Sequence, residues 1–293
     1  MKKPIRYLFS VLLTVLLVFC CLGAAGAAVF RTKALNIDTF TRLVQQENLP
    51  EKVHAELLTY FTDQENVTGI PADTYAASIA EDKLRIIITD TVHRAFEYLD
   101  GRGEFDRITP DFSALETDMT AFFRKYAEEN GCEQDAVFDN TLAKAISAGE
   151  EKIRSACDVF RFSTLYDAGM LKQAKAAVPL VKYLLIGSLA GTAVLIVLLL
   201  LLNLNRKSRT FYWVGSAVLV SALLLLIPAV WLQATRWFDR FAVKSDQVFA
   251  AVTGYLYTMT GTAITAAVIG IMLAVCLYLL AGITGRARRR RPE

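Results

Sequence analysis

The sequence predicts an all-α integral membrane protein, with four transmembrane helices and a helical-bundle extracytoplasmic domain between the first and the second. Two observations carry this prediction. The chain has 293 residues, is 54% hydrophobic, and concentrates its apolar residues in four long stretches with few or no charges. The segment between the first two stretches, residues 31–177, is polar and long enough to form a domain with its own core.

The apolar stretches set the boundaries that we predict for the membrane helices. At 1.5 Å rise per residue, each stretch can cross a hydrocarbon core about 30 Å thick. The predicted ranges are 7–30, 180–202, 211–232 and 255–283. Between the third and fourth, residues 233–254 are predicted to form an extracytoplasmic loop with a short interfacial helix, because "RWFDRFAVK" mixes aromatic and basic side chains. Residues 284–293 are predicted to form a basic cytoplasmic tail.

The charged residues predict the orientation of the chain. Residues 31–177 hold 17 Lys and Arg against 26 Asp and Glu, a net charge of −9, whereas the remaining residues are predominantly basic. Positive residues in short segments that flank membrane helices are retained on the cytoplasmic side. We therefore expect both termini in the cytoplasm of a bacterial-type cell and the acidic domain outside its plasma membrane. The residues predicted to determine this topology are Lys2, Lys3, Arg6, Arg206, Lys207, Arg209, Arg286, Arg288, Arg289, Arg290 and Arg291.

The stretch "CCLGAAGAAV", residues 20–29, leaves two interpretations of the first apolar segment open. A basic start and small residues at its end are typical of a cleaved signal peptide. The apolar run from Leu8 onward, however, exceeds the 7 to 15 residues or so of such a peptide, which favours a retained anchor. Cleavage would leave three membrane helices instead of four, with the domain on the same side.

Helical periodicity recurs through the acidic domain. Ser113 and Glu116 have the spacing of a capping box at the start of a helix. From Phe138 to Phe160, apolar residues recur every three or four positions, which predicts one long helix. We expect four or five helices, packed as a bundle.

Small residues in the apolar stretches predict close packing of the membrane helices. Gly187 and Gly191 form a G-x-x-x-G pattern in the second stretch, and Ala266 and Gly270 lie on a small-residue face of the fourth. No acidic, basic or histidine side chain occupies the middle of a stretch. Because proton relays and carriers of charged substrates generally need such residues, transport by this chain alone is disfavoured.

The sequence offers few arrangements suited to catalysis or metal binding. Asp90, His93 and Glu97 share a helix face, but nothing else converges on them, so a solvated polar face is favoured over a zinc site. If residues 134–157 form a single helix, Cys132 and Cys157 lie about 35 Å apart, too far for a disulfide; a bridge between them would require a break in this helix, for which Gly149 is the candidate. We expect no cofactor, no metal and no catalytic residue, and a non-enzymatic role is favoured over an enzymatic one.

Three classes of function remain open. The favoured class is a non-enzymatic extracytoplasmic binding or assembly module. Its expected partners are the lipid bilayer and a membrane or envelope protein or a second copy of the chain, with no nucleic acid. The order of span, helical domain and span resembles, in architecture alone, the sensor half of bacterial chemoreceptors. The alternatives are an accessory subunit of a transporter or export complex, and an envelope- or lipid-directed enzyme.

Overall fold

The fold of the described part of the chain is helical throughout. The computed structural model describes residues 3–105, 110–204 and 207–289. This part is 85% helical and contains no strand. Four of its helices are long and apolar enough to cross a membrane. The predicted all-helical fold with four candidate membrane helices is therefore confirmed.

Ten α-helices are numbered here in chain order within the described residues. They are α1 Lys3–Val29, α2 Ile37–Gln46, α3 Leu49–Thr68, α4 Glu81–Leu99, α5 Ser113–Asn130, α6 Ala136–Cys157, α7 Phe162–Asp167, α8 Met170–Leu202, α9 Lys207–Ala234 and α10 Asp246–Arg289. The chain divides into two compact units. The membrane unit contains α1, α9 and the parts of α8 and α10 from residues 176 and 256 onward. The helical unit contains Ile37–Lys175 and Phe241–Tyr255.

Within the membrane unit, α1 and α9 begin at the end where α8 and α10 finish. The contacts that bring these helix ends together pair Tyr7 with Trp213, Tyr212 with Tyr278, and Thr210 with Leu199. Consecutive helices of the unit therefore alternate in direction, as consecutive membrane spans must. Between them, Leu17, Leu199 and Ala217 are completely buried.

The basic residues predicted to determine topology lie near this same end, as far as they are described. Arg6 adjoins Tyr7 at the start of α1, while Arg209 and Arg286 adjoin the close approach of Ser208 to Gly285. Those at helix termini are Lys3 in α1, Lys207 in α9, and Arg288 and Arg289 in α10. Those outside the described residues are Lys2, Arg206, Arg290 and Arg291. Grouping at one end is a necessary condition for the predicted orientation.

The core of the helical unit is formed mainly by α3, α4, α5 and α6. Its fully buried side chains include Leu57 of α3, Leu84 and Ile88 of α4, Met119 of α5 and Ile153 of α6. Each helix contributes the apolar face that its 3.6-residue period predicts. This packing fixes the position of α4, one face of which lines the site described below, and the start of α5, which follows another part of its wall.

The predicted loop 233–254 is partly helical in the structure. The short 3₁₀-helix Trp237–Arg240 occupies the position of the predicted interfacial helix. Its Trp237 ring packs against Trp231 of α9, with centroids 5.2 Å apart. α10 already begins at Asp246, nine residues before the predicted start of the fourth membrane helix. The apolar stretch alone could not locate this start, because the first turns of α10 are stabilised by packing elsewhere.

The first turns of α10 belong to the helical unit, although the apolar and charged patterns of the sequence predict a domain of residues 31–177 alone. Ala250 and Ala251 are buried in the core of this unit. The ring of Tyr255 lies 5.1 Å from that of Phe40 on α2. The core of the helical unit is therefore assembled from two separate segments of the chain.

The long helix predicted to reach Phe160 ends at Cys157. The buried carboxylate of Asp158 accepts hydrogen bonds from the backbone N–H groups of Phe162, at 2.8 Å, and Ser163, at 2.9 Å. These bonds satisfy the first turn of α7, which would otherwise leave its amide groups without partners. The apolar stripe is thus carried by α6 up to Cys157, and its last residue, Phe160, lies in the turn that precedes α7.

Candidate functional site

A cavity of about 350 Å³ opens on the helical unit beside α4. Its lining residues are Ser78, Lys83, Ile86, Ile87, Asp90, Pro110, Asp111 and Phe112. The four from α4 have the relative positions i, i+3, i+4 and i+7, so they lie on one face of this helix. One wall is therefore a single helix face, and the others come from the turn before α4 and the segment before α5.

The turn before α4 contributes a buried hydroxyl group to the cavity wall. Nδ1 of His54, on α3, lies 2.7 Å from the carbonyl oxygen of Ile79 and ties this turn to the core. The adjacent Ser78 is only 4% exposed, and its Oγ has no hydrogen-bond partner among the described residues. A buried polar group without a partner costs about 1 to 3 kcal/mol. Ser78 is thus the wall residue with an unused hydrogen-bonding capacity.

The segment before α5 supplies the facing wall. The side chain of Asp111 accepts a hydrogen bond from the Ser113 N–H at 3.0 Å, so Asp111 takes the role predicted for Ser113 and Glu116 at this helix start. Ser113 is the first residue of α5 and does not cap it. Hydrogen bonds from the side chain and backbone of Ser113 lower the pKa of Asp111, and the charge of Lys83 lowers it further. Asp111 is consequently an anion at neutral pH.

The mouth of the cavity carries charges of both signs. The Asp90 carboxylate forms an ion pair with Arg94, at 3.3 Å between Oδ2 and Nε. Lys83 is exposed and forms no ion pair with a described residue. The mouth therefore carries one positive charge, from Lys83, and two negative charges, from Asp90 and Asp111. Arg94, the ion-pair partner of Asp90, adds a second positive charge beside it.

A polar face of α4 also includes Asp90, and its acidic and histidine side chains were considered above as metal ligands. Asp90, which shares this face with His93 and Glu97, is engaged by Arg94. Within residues 3–105, 110–204 and 207–289, no group of three or more His, Cys, Asp or Glu side chains is placed to hold a metal ion. On this face, the observed interaction of Asp90 is therefore a local ion pair on α4.

The cysteines of the helical unit differ sharply in accessibility. Cys132 is exposed at the end of α5, and Cys157 is completely buried at the end of α6. Both are free thiols. Burial raises the pKa of the Cys157 thiol, and the nearby Asp158 charge raises it further. Cys157 therefore stays protonated and unreactive in the folded protein, whereas Cys132 is available to reagents.

The residues predicted to pack the membrane helices have unequal surroundings. A Cβ atom added at Gly191 would lie 3.1 Å from Sγ of Cys20 on α1. One added at Gly270 would lie 3.1 Å from a side chain of α9, and Ala266 is half-buried one turn earlier on α10. A Cβ atom at Gly187 would meet no described atom within 4 Å. Only the second glycine of the G-x-x-x-G pattern thus lies at a tight contact between described helices.

We expect Gly191→Val to lower the free energy of unfolding of the membrane unit by about 1 to 3 kcal/mol, because the added atoms overpack the contact with α1. Gly187→Val is the matched control on the same helix. The measurement is the thermal unfolding midpoint of the full chain in detergent micelles. Equal midpoints for the two variants would contradict the close approach of α8 to α1.

Of the cavity residues, only Asp90 belongs to a group that the sequence singles out. Ser78, Lys83 and Asp111 lie in three separate stretches and form no motif, so no local signal identifies them. No protein-family model, curated protein or solved structure matches this chain. The chemistry of the cavity is therefore the basis for a functional proposal.

Proposed function

We propose that this protein is a non-enzymatic binding module of a bacterial-type plasma membrane, with the helical unit outside and both termini in the cytoplasm. The observation that carries the proposal is the cavity beside α4. Its apolar inner wall and few polar groups are typical of pockets for small molecules. The hydrogen bonds that lower the pKa of Asp111 also hold its negative charge in place at the cavity, where it can pair with a ligand.

The proposed orientation is supported by the distribution of charge. Arg6, Arg209 and Arg286, three of the residues predicted to determine topology, lie at one end of the membrane unit, which fits a common cytoplasmic side. Residues 31–177 have a net charge of −9, so this rule gives no reason for them to be held on the cytoplasmic side. The same negative charge disfavours nucleic acid as a ligand, because phosphate groups would be repelled.

Labelling of Cys132 tests the orientation. In intact cells, a membrane-impermeant maleimide is expected to label the chain at Cys132, because this thiol is exposed on the helical unit. The buried Cys157 should react only after denaturation, since its raised pKa keeps it protonated. Mass spectrometry of the labelled chain identifies the modified residue.

Two variants serve as controls for this labelling. Cys132→Ser should remove the label from intact cells. In a Cys132→Ser background, Ser208→Cys places a thiol at the opposite predicted side and should be labelled only after lysis. Labelling of Cys132 only after lysis, with Ser208→Cys labelled in intact cells, would contradict the proposed orientation and leave the cavity in the cytoplasm.

Filling the cavity tests the binding function. Ile86 is 69% exposed at the cavity, so Ile86→Trp can obstruct it at little cost to the fold. Val67→Trp, at a position that is 78% exposed on α3, is the matched control. Thermal unfolding of the full chain in micelles is measured with mixtures of amino acids, amines, carboxylic acids, sugars and nucleosides. We expect at least one mixture to raise the unfolding midpoint of the native chain and of the Val67→Trp variant but not that of Ile86→Trp. If no mixture raises the midpoint of the native chain, a small-molecule binding function is contradicted.

A further inference from the structure

The cavity has two chemically distinct zones. Ser78, Ile87 and Phe112 are buried and form an inner wall that is apolar except for one hydroxyl group. Lys83 and Asp111 are exposed and belong to the mouth, together with the half-buried Asp90. A ligand that fits both zones has an apolar body and a charged head.

The charge balance at the mouth indicates a head with charges of both signs. Asp111 is fixed by its hydrogen bond to Ser113 and stays ionised because its pKa is lowered. Lys83 provides an exposed ammonium group whose charge acts on Asp111 but which forms no ion pair with a described carboxylate. A ligand with a carboxylate for Lys83 and an ammonium group for Asp111 would satisfy both, whereas a simple cation or anion would satisfy one and be repelled by the other.

The inner wall adds a requirement at the other end of the ligand. The Ser78 Oγ is buried and lacks a partner among the described residues. Serine has three staggered rotamers, so this hydroxyl can turn toward a ligand atom in the cavity. A hydroxyl group at the far end of the apolar body would supply the missing hydrogen bond. The volume, about 350 Å³, lies at the lower end of the range of about 300 to 1,000 Å³ for small-molecule pockets.

We propose that this cavity binds a small zwitterion with an apolar aromatic body and a distal hydroxyl group, of the chemical class of a free hydroxyaryl amino acid. The ligand carboxylate pairs with Lys83, its ammonium group with Asp111, and its hydroxyl with Ser78. The aromatic body packs between Ile87 and Phe112. This inference rests on the binding function proposed above and assigns its ligand class.

Four probes separate the three contacts. L-tyrosine has all three groups, tyramine lacks the carboxylate, 3-(4-hydroxyphenyl)propionate lacks the ammonium group, and L-phenylalanine lacks the hydroxyl. Binding to the full chain in micelles is measured by isothermal titration calorimetry. We expect L-tyrosine to bind about tenfold or more tightly than either probe with a single charge, and about three- to tenfold more tightly than L-phenylalanine.

Three variants assign each contact to its residue. Lys83→Gln should lower the affinity for L-tyrosine without lowering that for tyramine, and Asp111→Asn should lower the affinity for L-tyrosine without lowering that for the propionate. Asp111→Asn keeps an oxygen that can accept the Ser113 N–H, so the start of α5 is preserved. Ser78→Ala should make the affinities for L-tyrosine and L-phenylalanine equal. Lys144→Gln, at an exposed position on α6, is the control for loss of a lysine charge and should change nothing.

The outcomes separate failure of this ligand class from failure of the binding function. If none of the four probes binds while another compound stabilises the chain and is blocked by Ile86→Trp, the zwitterion proposal is overturned and the binding function stands. If L-tyrosine binds equally to all variants, the assignment to this cavity is overturned. If no compound of any class stabilises the chain, both proposals fail.

Discussion

Ala251→Glu is expected to unfold the helical unit or to lower its free energy of unfolding by about 3 kcal/mol or more. Ala251 lies in the second turn of α10 and is 0% exposed in the core of the helical unit. A carboxylate introduced there would be buried without a partner, which costs several kcal/mol unless the group is neutralised. The measurement is limited proteolysis of the full chain in micelles, followed by mass spectrometry of the cleavage sites.

Ala242→Glu is the matched control for this substitution. Ala242 lies four residues before α10, in the same chain segment, and is exposed. It introduces the same charge and should leave the pattern of cleavage within residues 37–175 unchanged. Equal protease resistance of the two variants would mean that the first turns of α10 do not contribute to the core.

The membrane helices could be predicted from sequence because their signal is local. An uninterrupted apolar run of about 20 residues has few alternatives to a membrane helix, whatever its neighbours. The start of α10 has no such signal, because Ala250 and Ala251 are small residues whose burial depends on helices much earlier in the chain. Composition therefore identifies the membrane helices but predicts a loop for the second segment of the helical unit, Phe241–Tyr255.

Helix boundaries in the helical unit were less predictable for a related reason. The apolar stripe from Phe138 to Phe160 is compatible with one helix, and the break depends on a single buried side chain, Asp158. Aspartate is usually exposed, so its burial and its two backbone hydrogen bonds are not visible in the pattern. Likewise, Asp111 and Ser113 are both good residues for a helix start, and only the structure distinguishes their roles.

The candidate site was the least predictable part, because it is defined by tertiary structure alone. The spacing of Lys83, Ile87 and Asp90 indicates a common helix face, which the periodicity could have revealed. The pairing of this face with Ser78 and Asp111 requires the path of the chain through α3 and α5. A buried hydroxyl without a partner is a property of packing, and no sequence pattern reports it.

Gly149→Leu is expected to destabilise the helical unit by about 1 to 3 kcal/mol and to weaken ligand binding at the cavity. A Cβ atom at Gly149, on α6, would lie 3.1 Å from the ring of Tyr75 and 3.4 Å from the side chain of Leu115. The Tyr75 ring is stacked on Phe61, with centroids 3.7 Å apart, so it has no room to retreat. Overpacking of this kind forces the backbone or the rotamers to shift.

Helix propensity predicts the opposite sign for this substitution, which makes the measurement decisive. Leucine is favoured over glycine within a helix by up to about 1 kcal/mol, so a stabilised variant would show that the contact with Tyr75 is loose. Ala148→Leu, at the exposed neighbouring position, measures the effect of an added side chain without the contact. Thermal unfolding of the full chain in micelles compares the two variants.

The effect on binding follows from the position of Tyr75 in the chain. Its carbonyl oxygen accepts hydrogen bonds from the backbone N–H groups of Ser78, at 3.0 Å, and Ile79, at 3.1 Å. A displacement of Tyr75 is therefore transmitted to the turn that places Ser78 in the cavity wall. We expect Gly149→Leu to reduce the preference for L-tyrosine over L-phenylalanine, which is also the effect expected of Ser78→Ala. Gly149 would act through Tyr75, because it does not line the cavity itself. An unchanged preference in a destabilised variant would separate the packing of α6 from the geometry of the site.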